Sequence, residues 1–302
     1  MLPVTSSFST TVYFKPSQGP NDIWDALKAH EVDANCVLPV MIEELPNMIK
    51  ELALEHSGAV PRGASQFWIV MAEKLLDASS LERVFSVFAP DDIASIFAQK
   101  WSRLTGVNIL PEPYYAAKLS YCTKDTFNRR SLTQNPAWDL RPARDEDLPP
   151  VAELCRQFAA TCEPFILDEE GAYREAQYLI QSTQVWVHTV STTHYTDITS
   201  IVAFTRNSEN NATITKVFTN PEWRGYKCAQ RLVARVCREL LFHQGKKSVA
   251  IFVAHDNGAA SKVYHNVGFG GLYPSSHGLS SAPGWTELDF DPAKVQLGHW
   301  SR

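Results

Sequence analysis

The chain has 302 residues, of which 44% are hydrophobic and 20% are charged, as in ordinary globular proteins with one or two domains. The formal net charge of −5 argues against a dedicated nucleic-acid binder, which would normally carry a basic surface. No apolar run is long enough to span a membrane, and the N-terminal sequence lacks the pattern of a signal peptide. We therefore expect a cytoplasmic protein that binds neither nucleic acid nor membrane.

Residues 1–130 are predicted to form a first, smaller α/β domain with a core of its own. Its predicted elements, in chain order, are helices at 22–30 and 40–56, strands at 66–71 and 83–88, a helix from Asp91 to Gly106, and a strand at 114–122. The polar stretch 124–138, which contains an Asn-Pro pair, is predicted to be a linker.

A second domain is predicted over residues 139–302, because strands and helices begin to alternate regularly at Asp139. Asp145 is the predicted cap of its first helix, which carries an apolar stripe from Val151 to Phe158. The elements expected after it are a helix at 168–182, antiparallel strands at 185–190, 200–206 and 213–218, a helix at 230–242, a strand at 248–254, a helix at 258–266, and a strand at 284–290 that pairs near Phe269.

The stretch from Val217 to Ala229, which reads V-F-T-N-P-E-W-R-G-Y-K-C-A, joins a strand to an amphipathic helix. The first backbone N–H groups of a helix have no intrahelical partner, and the helix dipole adds partial positive charge there. Pro221 and Gly225 favour a turn in this connection, and Arg224 adds a fixed positive charge. The stretch therefore predicts a site for a phosphate-bearing cofactor.

A second motif, N-G-A-A-S-K-V-Y-H-N-V-G-F at residues 257–269, follows the next predicted strand. Together the two stretches resemble the GNAT superfamily of acyl-CoA-dependent N-acyltransferases. The phosphate signature of that family, Arg/Gln-x-x-Gly-x-Gly/Ala, falls on residues 224–229. The second family signature is matched at Asn257, Ala260, Tyr264, Gly268 and Phe269. The resemblance covers about residues 139–292 and implies an α+β fold with a mixed sheet.

The resemblance also implies which residues bind acetyl-CoA. Val217, Phe218 and Thr219 would pair through their backbone with the pantetheine arm, and Arg224 would lie at the mouth of the phosphate site. The amides expected to hold the pyrophosphate are those of Gly225, Tyr226, Lys227, Cys228 and Ala229. No metal is expected, because none of the six cysteines has the spacing of a metal site.

Tyr264 occupies the position from which family tyrosines protonate the departing thiolate of coenzyme A. The alternative is that Tyr264 packs its helix against the sheet and bonds its hydroxyl elsewhere. Asn257 has two compatible roles, as the cap of the following helix and as a contact to the cofactor.

The sequence departs from the family pattern at two places. Lys227 replaces the central glycine of the phosphate signature, and Thr215 and Lys216 stand where many relatives carry a strand glutamate. The general base therefore stays open, and a route through water would need none. The candidates are Glu222, His255, Asp256, Glu169 and Glu170, of which His255 has the most suitable intrinsic pKa.

The expected function is the transfer of an acetyl group from acetyl-CoA to an amine by direct attack. A small molecule is the preferred acceptor, and a small amine, an amino acid, an antibiotic-like compound and a protein terminus all stay open. The alternatives are a catalytically idle acyl-CoA-binding regulatory protein and a purely structural interaction protein. The first domain is compatible with a degenerate GNAT-like domain. Four aromatic residues either line an acceptor pocket or belong to the core: Trp186, Phe204, Phe218 and Trp223.

Overall fold

The computed structural model describes residues 72–73, 75–76, 80–129, 137–163, 165–191, 196–273 and 282–296. The elements predicted at 22–30, 40–56 and 66–71 lie outside the described residues. The chain divides into two compact units, one formed by Met1–Ala117 with Gly284–Arg302 and the other by Lys118–Pro283. The domain limits predicted from the sequence, 1–130 and 139–302, stay a prediction.

The strands and helices of the described residues follow the predicted order. The strands are β1 (Ser86–Pro90), β2 (Tyr115–Thr123), β3 (Trp138–Pro142), β4 (Val185–Ser191), β5 (Thr196–Asn207), β6 (Asn211–Thr219), β7 (Ser248–Ala254) and β8 (Gly284–Asp289). The helices are α1 (Asp91–Thr105), α2 (Leu148–Ala159), α3 (Glu169–Gln181), α4 (Cys228–Arg238) and α5 (Gly258–Val267). A short 3₁₀ turn precedes β1, so that strand begins three residues later than the predicted Arg83. Within the described residues, no helix has both the length and the apolar character to cross a bilayer.

The first unit pairs β1 with β8 in antiparallel register and packs α1 beside them. The apolar stripe of α1 supplies Phe97 and Trp101, which pack with Phe290 in one core cluster. Gly106 ends α1 in a left-handed conformation with φ of 70°, and its N–H donates to the carbonyl of Ser102. The predicted end of this helix is confirmed.

The predicted pairing of the last strand near Phe269 is wrong, because β8 pairs with β1 and residues 268–273, the described segment after α5, form no strand. That segment contains Gly268, Gly270 and Gly271, and the first and last of these have positive φ angles of 120° and 73°. Glycine weakens strands, and these conformations are incompatible with a β-ladder. Gly270 instead donates a single backbone hydrogen bond to Tyr121.

The second unit is built on a mixed sheet. Strands β3 to β6 pair with their neighbours in antiparallel fashion, β6 pairs with β7 in parallel, and β2 lies on the other side of β7. Helices α2 and α3 share one core cluster with Val187 and Ile201, whereas α4 and α5 share another with Trp186 and Val202. Neighbouring residues of one strand thus face opposite cores, as a sheet covered on both faces requires. The predicted α+β mixed-sheet fold is confirmed.

Asp145 does not cap the first helix of the second unit, so that prediction is wrong. It opens a 3₁₀ turn that ends at Asp147, the residue directly before α2. Asp147 is buried, and its carboxylate accepts hydrogen bonds from the Arg141 guanidinium at 2.5 and 3.0 Å and from the backbone N–H of Arg144 at 2.7 Å. The ion pair with Arg141 thus explains why Asp147 is buried while Asp145 and Glu146 are exposed.

Candidate functional site

The candidate site begins where β6 and β7 separate. Their registered pairs run from Asn211 opposite Ser248 to Ile214 opposite Ile251. Strand β6 then continues to Thr219, but in the described part of the chain no further registered pair joins it to β7. On its other side, the register of β6 with β5 shifts twice near Phe204, as at β-bulges. Bulges increase local twist and bend a strand, which accounts for the separation.

The three strand residues predicted to hold the acyl arm lie on this separated part of β6. Phe218 packs into the core under α2 and α3, with its ring centroid 6.4 Å from that of Phe158. Val217 packs against the opposite core, and the Thr219 hydroxyl lies 2.8 Å from that of Ser200. Because packing and hydrogen bonding within the unit engage these side chains, the backbone along the β7 side of β6 is the part suited to an extended ligand.

A tight connection joins β6 to α4. Asn220 accepts a hydrogen bond from the backbone N–H of Glu222 at 3.1 Å and starts a 3₁₀ turn over Pro221–Trp223. Gly225 has φ of 85°, and nothing lies within 4 Å of the place where its Cβ would be. The first turn of α4 contains no acidic residue. The space beside Gly225 is therefore open, and the first turn of the helix that follows has no carboxylate of its own, which fits a phosphate group.

Lys227 is the residue directly before α4, and it adopts a left-handed conformation with φ of 60° and ψ of 24°. This conformation costs a non-glycine residue about 1–2 kcal/mol, so the backbone itself explains why glycine suits the position. Arg231 donates a hydrogen bond to the carbonyl of Tyr226 at 2.6 Å and steadies the turn. The Lys227 side chain is exposed at the start of the helix.

Asn257 and Tyr264 lie at opposite ends of α5. The Asn257 side chain accepts the Ala260 N–H at 2.9 Å, so its predicted capping role is confirmed. Tyr264 is only 7% exposed, and its ring meets that of Phe269 edge to face with centroids 5.8 Å apart. Tyr264 belongs to the core cluster against which Val217 packs, so both residues lie on the same side of the sheet.

The candidate bases lie at three places in the second unit. Glu222 is exposed in the turn before α4, and His255 and Asp256 are exposed in the turn after β7. Glu169 and Glu170 are exposed in the first turn of α3, where Glu170 forms an ion pair with Arg174. The structure therefore does not gather these five carboxylate and imidazole groups into one cluster.

Sequence reasoning missed a partly buried ion pair at the separated part of β6. The Lys216 ammonium lies 3.1 Å from a carboxylate oxygen of Glu175 on α3 and 4.5 Å from the ring centroid of Phe158. The Lys216 side chain is only 12% exposed. In place of a strand glutamate, the structure brings a carboxylate to this position from a helix, 41 residues earlier in the chain. No local pattern in the sequence could have joined the two.

His188 on β4 was also missed, and it is fully buried. Its Nδ1 lies 2.8 Å from the Thr199 hydroxyl, and its Nε2 has no hydrogen-bond partner among the described residues. Burial, together with the nearby charge of Arg231, lowers the pKa of His188 to about 4. The imidazole is therefore neutral at physiological pH. An isolated histidine in an apolar strand gives no sequence signal that separates a core residue from a site residue.

The four aromatic residues considered for an acceptor pocket have different locations. Trp186 and Phe204 lie in the core beneath α4, and Phe218 lies in the core beneath α2 and α3. Trp223 lines a cavity of about 410 Å³ at the turn before α4. The cavity is lined by Thr196, Asp197, Glu222, Trp223 and Tyr226.

Residues 152–269 match the model of the acetyltransferase (GNAT) family. These residues form a GNAT acetyltransferase domain. The match supports an acyltransferase that uses an acyl-CoA, and acetyl-CoA is the typical acyl donor of this family. The GNAT domain contains the separated strands, the turn before α4, Asn257 and Tyr264. No curated protein matches the chain.

Several solved structures are similar to the chain. A Drosophila protein is 15% identical with a TM-score of 0.52, and the match covers 77% of this chain and 68% of that one. A tandem GNAT protein of the clavulanic acid biosynthesis pathway is 13% identical, covering 78% and 71%, with a TM-score of 0.48. A GCN5-related N-acetyltransferase from Kribbella flavida is 12% identical, covering 78% of each chain, with a TM-score of 0.49. At these identities, the likeness to the Drosophila protein shows a shared fold.

Proposed function

We propose that this protein transfers an acetyl group from acetyl-CoA to the amine of a small-molecule acceptor. The observation that carries the proposal is the separation of β6 from β7 after Ile214, followed within one connection by a helix start without acidic residues. The two features form one continuous path. An extended thioester arm fits along β6, and the phosphates attached to it fit at the start of α4.

Different residues along this path bind different parts of the cofactor. The backbone of Val217, Phe218 and Thr219 pairs with the amides of the pantetheine arm. The amides from Gly225 to Ala229 bind the pyrophosphate, and the charges of Arg224 and Lys227 strengthen that contact.

The chemistry requires a polarised thioester carbonyl, a neutral amine and a proton for the leaving group. The amine nitrogen forms a bond to the carbonyl carbon, and the carbon–sulfur bond breaks. Tyr264 donates its phenolic proton to the departing thiolate, and the amine proton passes to a base or to water. Several residues stay candidates for that base: Glu222, His255, Asp256, Glu169 and Glu170.

A second function, that of an idle acyl-CoA-binding regulatory protein, is favoured by the Lys216–Glu175 ion pair. This pair occupies the strand position at which many relatives place a free glutamate. The pair would leave coenzyme A binding intact while removing the strand base.

Calorimetric titration with acetyl-CoA tests both functions, and we expect one equivalent to bind per chain. Arg224→Glu should weaken binding by about tenfold or more, since a charge-assisted contact contributes about 1.5–3 kcal/mol. The matched control is Arg238→Glu, the same charge change at the exposed far end of α4. A screen of amines for release of the free thiol then tests catalysis. Binding without turnover on any amine favours the idle protein, and no binding contradicts both functions.

A further inference from the structure

The cavity beside the turn before α4 has an unusual combination of walls. Its lining contains two carboxylates, from Asp197 and Glu222, two aromatic rings, from Trp223 and Tyr226, and one hydroxyl, from Thr196. No basic side chain belongs to the described lining, although basic residues follow directly in the chain. The cavity volume of about 410 Å³ is enough for a small organic molecule.

The walls of this cavity are fixed by contacts within the unit. The indole N–H of Trp223 donates to a carboxylate oxygen of Asp197 at 2.5 Å, which ties the turn to the start of β5. The rings of Trp223 and Tyr226 meet edge to face, with centroids 5.9 Å apart. Arg231 holds the Tyr226 carbonyl from the side of α4. A ligand would therefore meet walls that are already ordered.

The groups that line the cavity are partly exposed, and their carboxylates form no ion pair among the described residues. Tyr226 is 62% exposed, the highest value among the exposed large hydrophobic residues of the described chain. No ion pair among the described residues joins Asp197 or Glu222 to a basic side chain. The Arg224 guanidinium lies 5.6 Å from the ring centroid of Phe218, a residue outside the lining. The two carboxylates thus give the lining of the cavity two acidic groups that form no ion pair among the described residues.

We propose that this cavity binds an organic cation, a protonated amino group carried by a small molecule. Aromatic rings attract such cations through their electron-rich faces, and carboxylates attract them by charge and hydrogen bonds. The opposite class of ligand is disfavoured, because phosphate or carboxylate groups would meet Asp197 and Glu222 at close range.

Binding of 1,4-diaminobutane, with n-butylamine as the singly charged comparison, tests the cavity without acetyl-CoA. Calorimetry should show tighter binding of the diamine to the wild-type protein. Glu222→Gln, Asp197→Asn and Tyr226→Leu should each weaken it by about threefold or more, the size expected for a single exposed charge or cation–π contact. The matched controls are Glu163→Gln and Tyr173→Leu in the same unit, whose side chains are also exposed.

Three results would overturn the proposal. One is equal binding of the two amines, and another is an equal loss in the cavity variants and their controls. The third is a loss of acetyl-CoA affinity in Tyr226→Leu with unchanged diamine affinity, which would assign the rings to the adenine of the cofactor. Because the amine titration contains no acetyl-CoA, failure of the cation site and failure of the proposed transferase are separate outcomes.

Discussion

In the first unit, β1 ends at Pro90 and α1 begins at the next residue, whereas in the second unit the stretch 220–227 separates β6 from α4. The first turn of α1 contains Asp91 and Asp92. Asp91 accepts a hydrogen bond from the Thr286 hydroxyl at 2.6 Å. The first turn of α4 contains no acidic residue, and Arg224 and Lys227 precede it.

The difference shows that a strand leading into a helix is not in itself an anion site. The N-terminus of a helix attracts negative charge, and a nearby carboxylate of the same chain satisfies that attraction as well as a ligand does. In α1 the chain supplies its own acids, and in α4 it leaves the position to an external phosphate. We therefore expect no second coenzyme A site in the first unit.

The two units also differ in the surroundings of a buried aspartate and in the resulting pKa. Burial opposes ionisation of Asp147, but hydrogen bonds from Arg141 and from the Arg144 N–H, together with both charges, lower its pKa. Burial, with the nearby charge of Glu287, raises the pKa of Asp289 in the first unit to about 6. One Oδ atom of Asp289 has no hydrogen-bond partner among the described residues. The Asp147 carboxylate is thus paired and ionised, whereas the raised pKa of Asp289 favours its protonated, neutral form.

The largest expected effect comes from removing the ion pair between Arg141 and Asp147. Arg141→Met leaves Asp147 buried without its partner, and we expect the free energy of unfolding at pH 7 to fall by about 3 kcal/mol. The pKa of Asp147 then rises above its unfolded value, so stability is greatest below that value and falls as pH rises. Urea denaturation at pH 7 and pH 4.5 measures both effects.

The control for this change is Arg144→Met, whose side chain is 60% exposed and forms its ion pair, among the described residues, with exposed Glu146. It should alter stability by about 0.5 kcal/mol at most. Equal losses in the two variants, or a loss that is the same at both pH values, would contradict the assigned role of the Arg141–Asp147 pair.

Tyr264→Phe tests whether the chemistry belongs to the second unit alone. We expect turnover to fall by about 100-fold, since a positioned acid contributes at least that much, while acetyl-CoA affinity stays nearly unchanged. Steady-state rates of thiol release and calorimetry measure the two quantities. Tyr115→Phe, at a partly buried tyrosine of the first unit, is the control and should leave turnover unchanged. Full activity in Tyr264→Phe would return this residue to a packing role.

The sequence predicted the elements from β6 to α5 well because their signals are local. Gly225 is needed for a positive φ, Asn257 caps the helix that follows it, and Gly268 ends that helix in a left-handed conformation. Each of these requirements acts within a few residues. The same holds for α1, which begins after Pro90 and ends at Gly106.

The missed features depend on contacts between distant residues. One partner of β8 is β1, about 200 residues earlier in the chain, and neither strand has a sequence feature that selects the other. Lys216 and Glu175 meet only because α3 packs across the sheet. The hydrogen bonds of Asp147 require β3 to deliver Arg141, so the choice between Asp145 and Asp147 could not be made locally.

Substitutions of Lys227, directly before α4, separate the effect of its side-chain charge on binding from the effect of its backbone conformation. Lys227→Gly removes the strain of the left-handed conformation and the charge together, and we expect coenzyme A to bind about tenfold more weakly. The salt dependence of binding should become shallower, because one phosphate contact is lost. Lys227→Asn is the matched variant, since asparagine tolerates this conformation without charge. Unchanged or tighter binding in both variants would mean that the loop tolerates Lys227 without using it.

The smallest expected effect concerns Asp289, the unpaired carboxyl of the first unit. Its folded pKa of about 6 lies above an unfolded value of about 3.9, so it binds its proton more tightly in the folded protein. Stability from this group is fully present below the unfolded value and is lost as pH rises through about 6.

Asp289→Asn should raise the free energy of unfolding at pH 7.5 by about 1 kcal/mol, a gain limited by the hydrogen bonds that a buried amide itself needs. The gain should shrink as pH falls and vanish below about pH 3, where the wild-type carboxyl is protonated in both states. Glu112→Gln, at an exposed carboxylate of the same unit, should show neither effect. A stabilisation of Asp289→Asn that is equal at both pH values would show that shape and not charge limits this site.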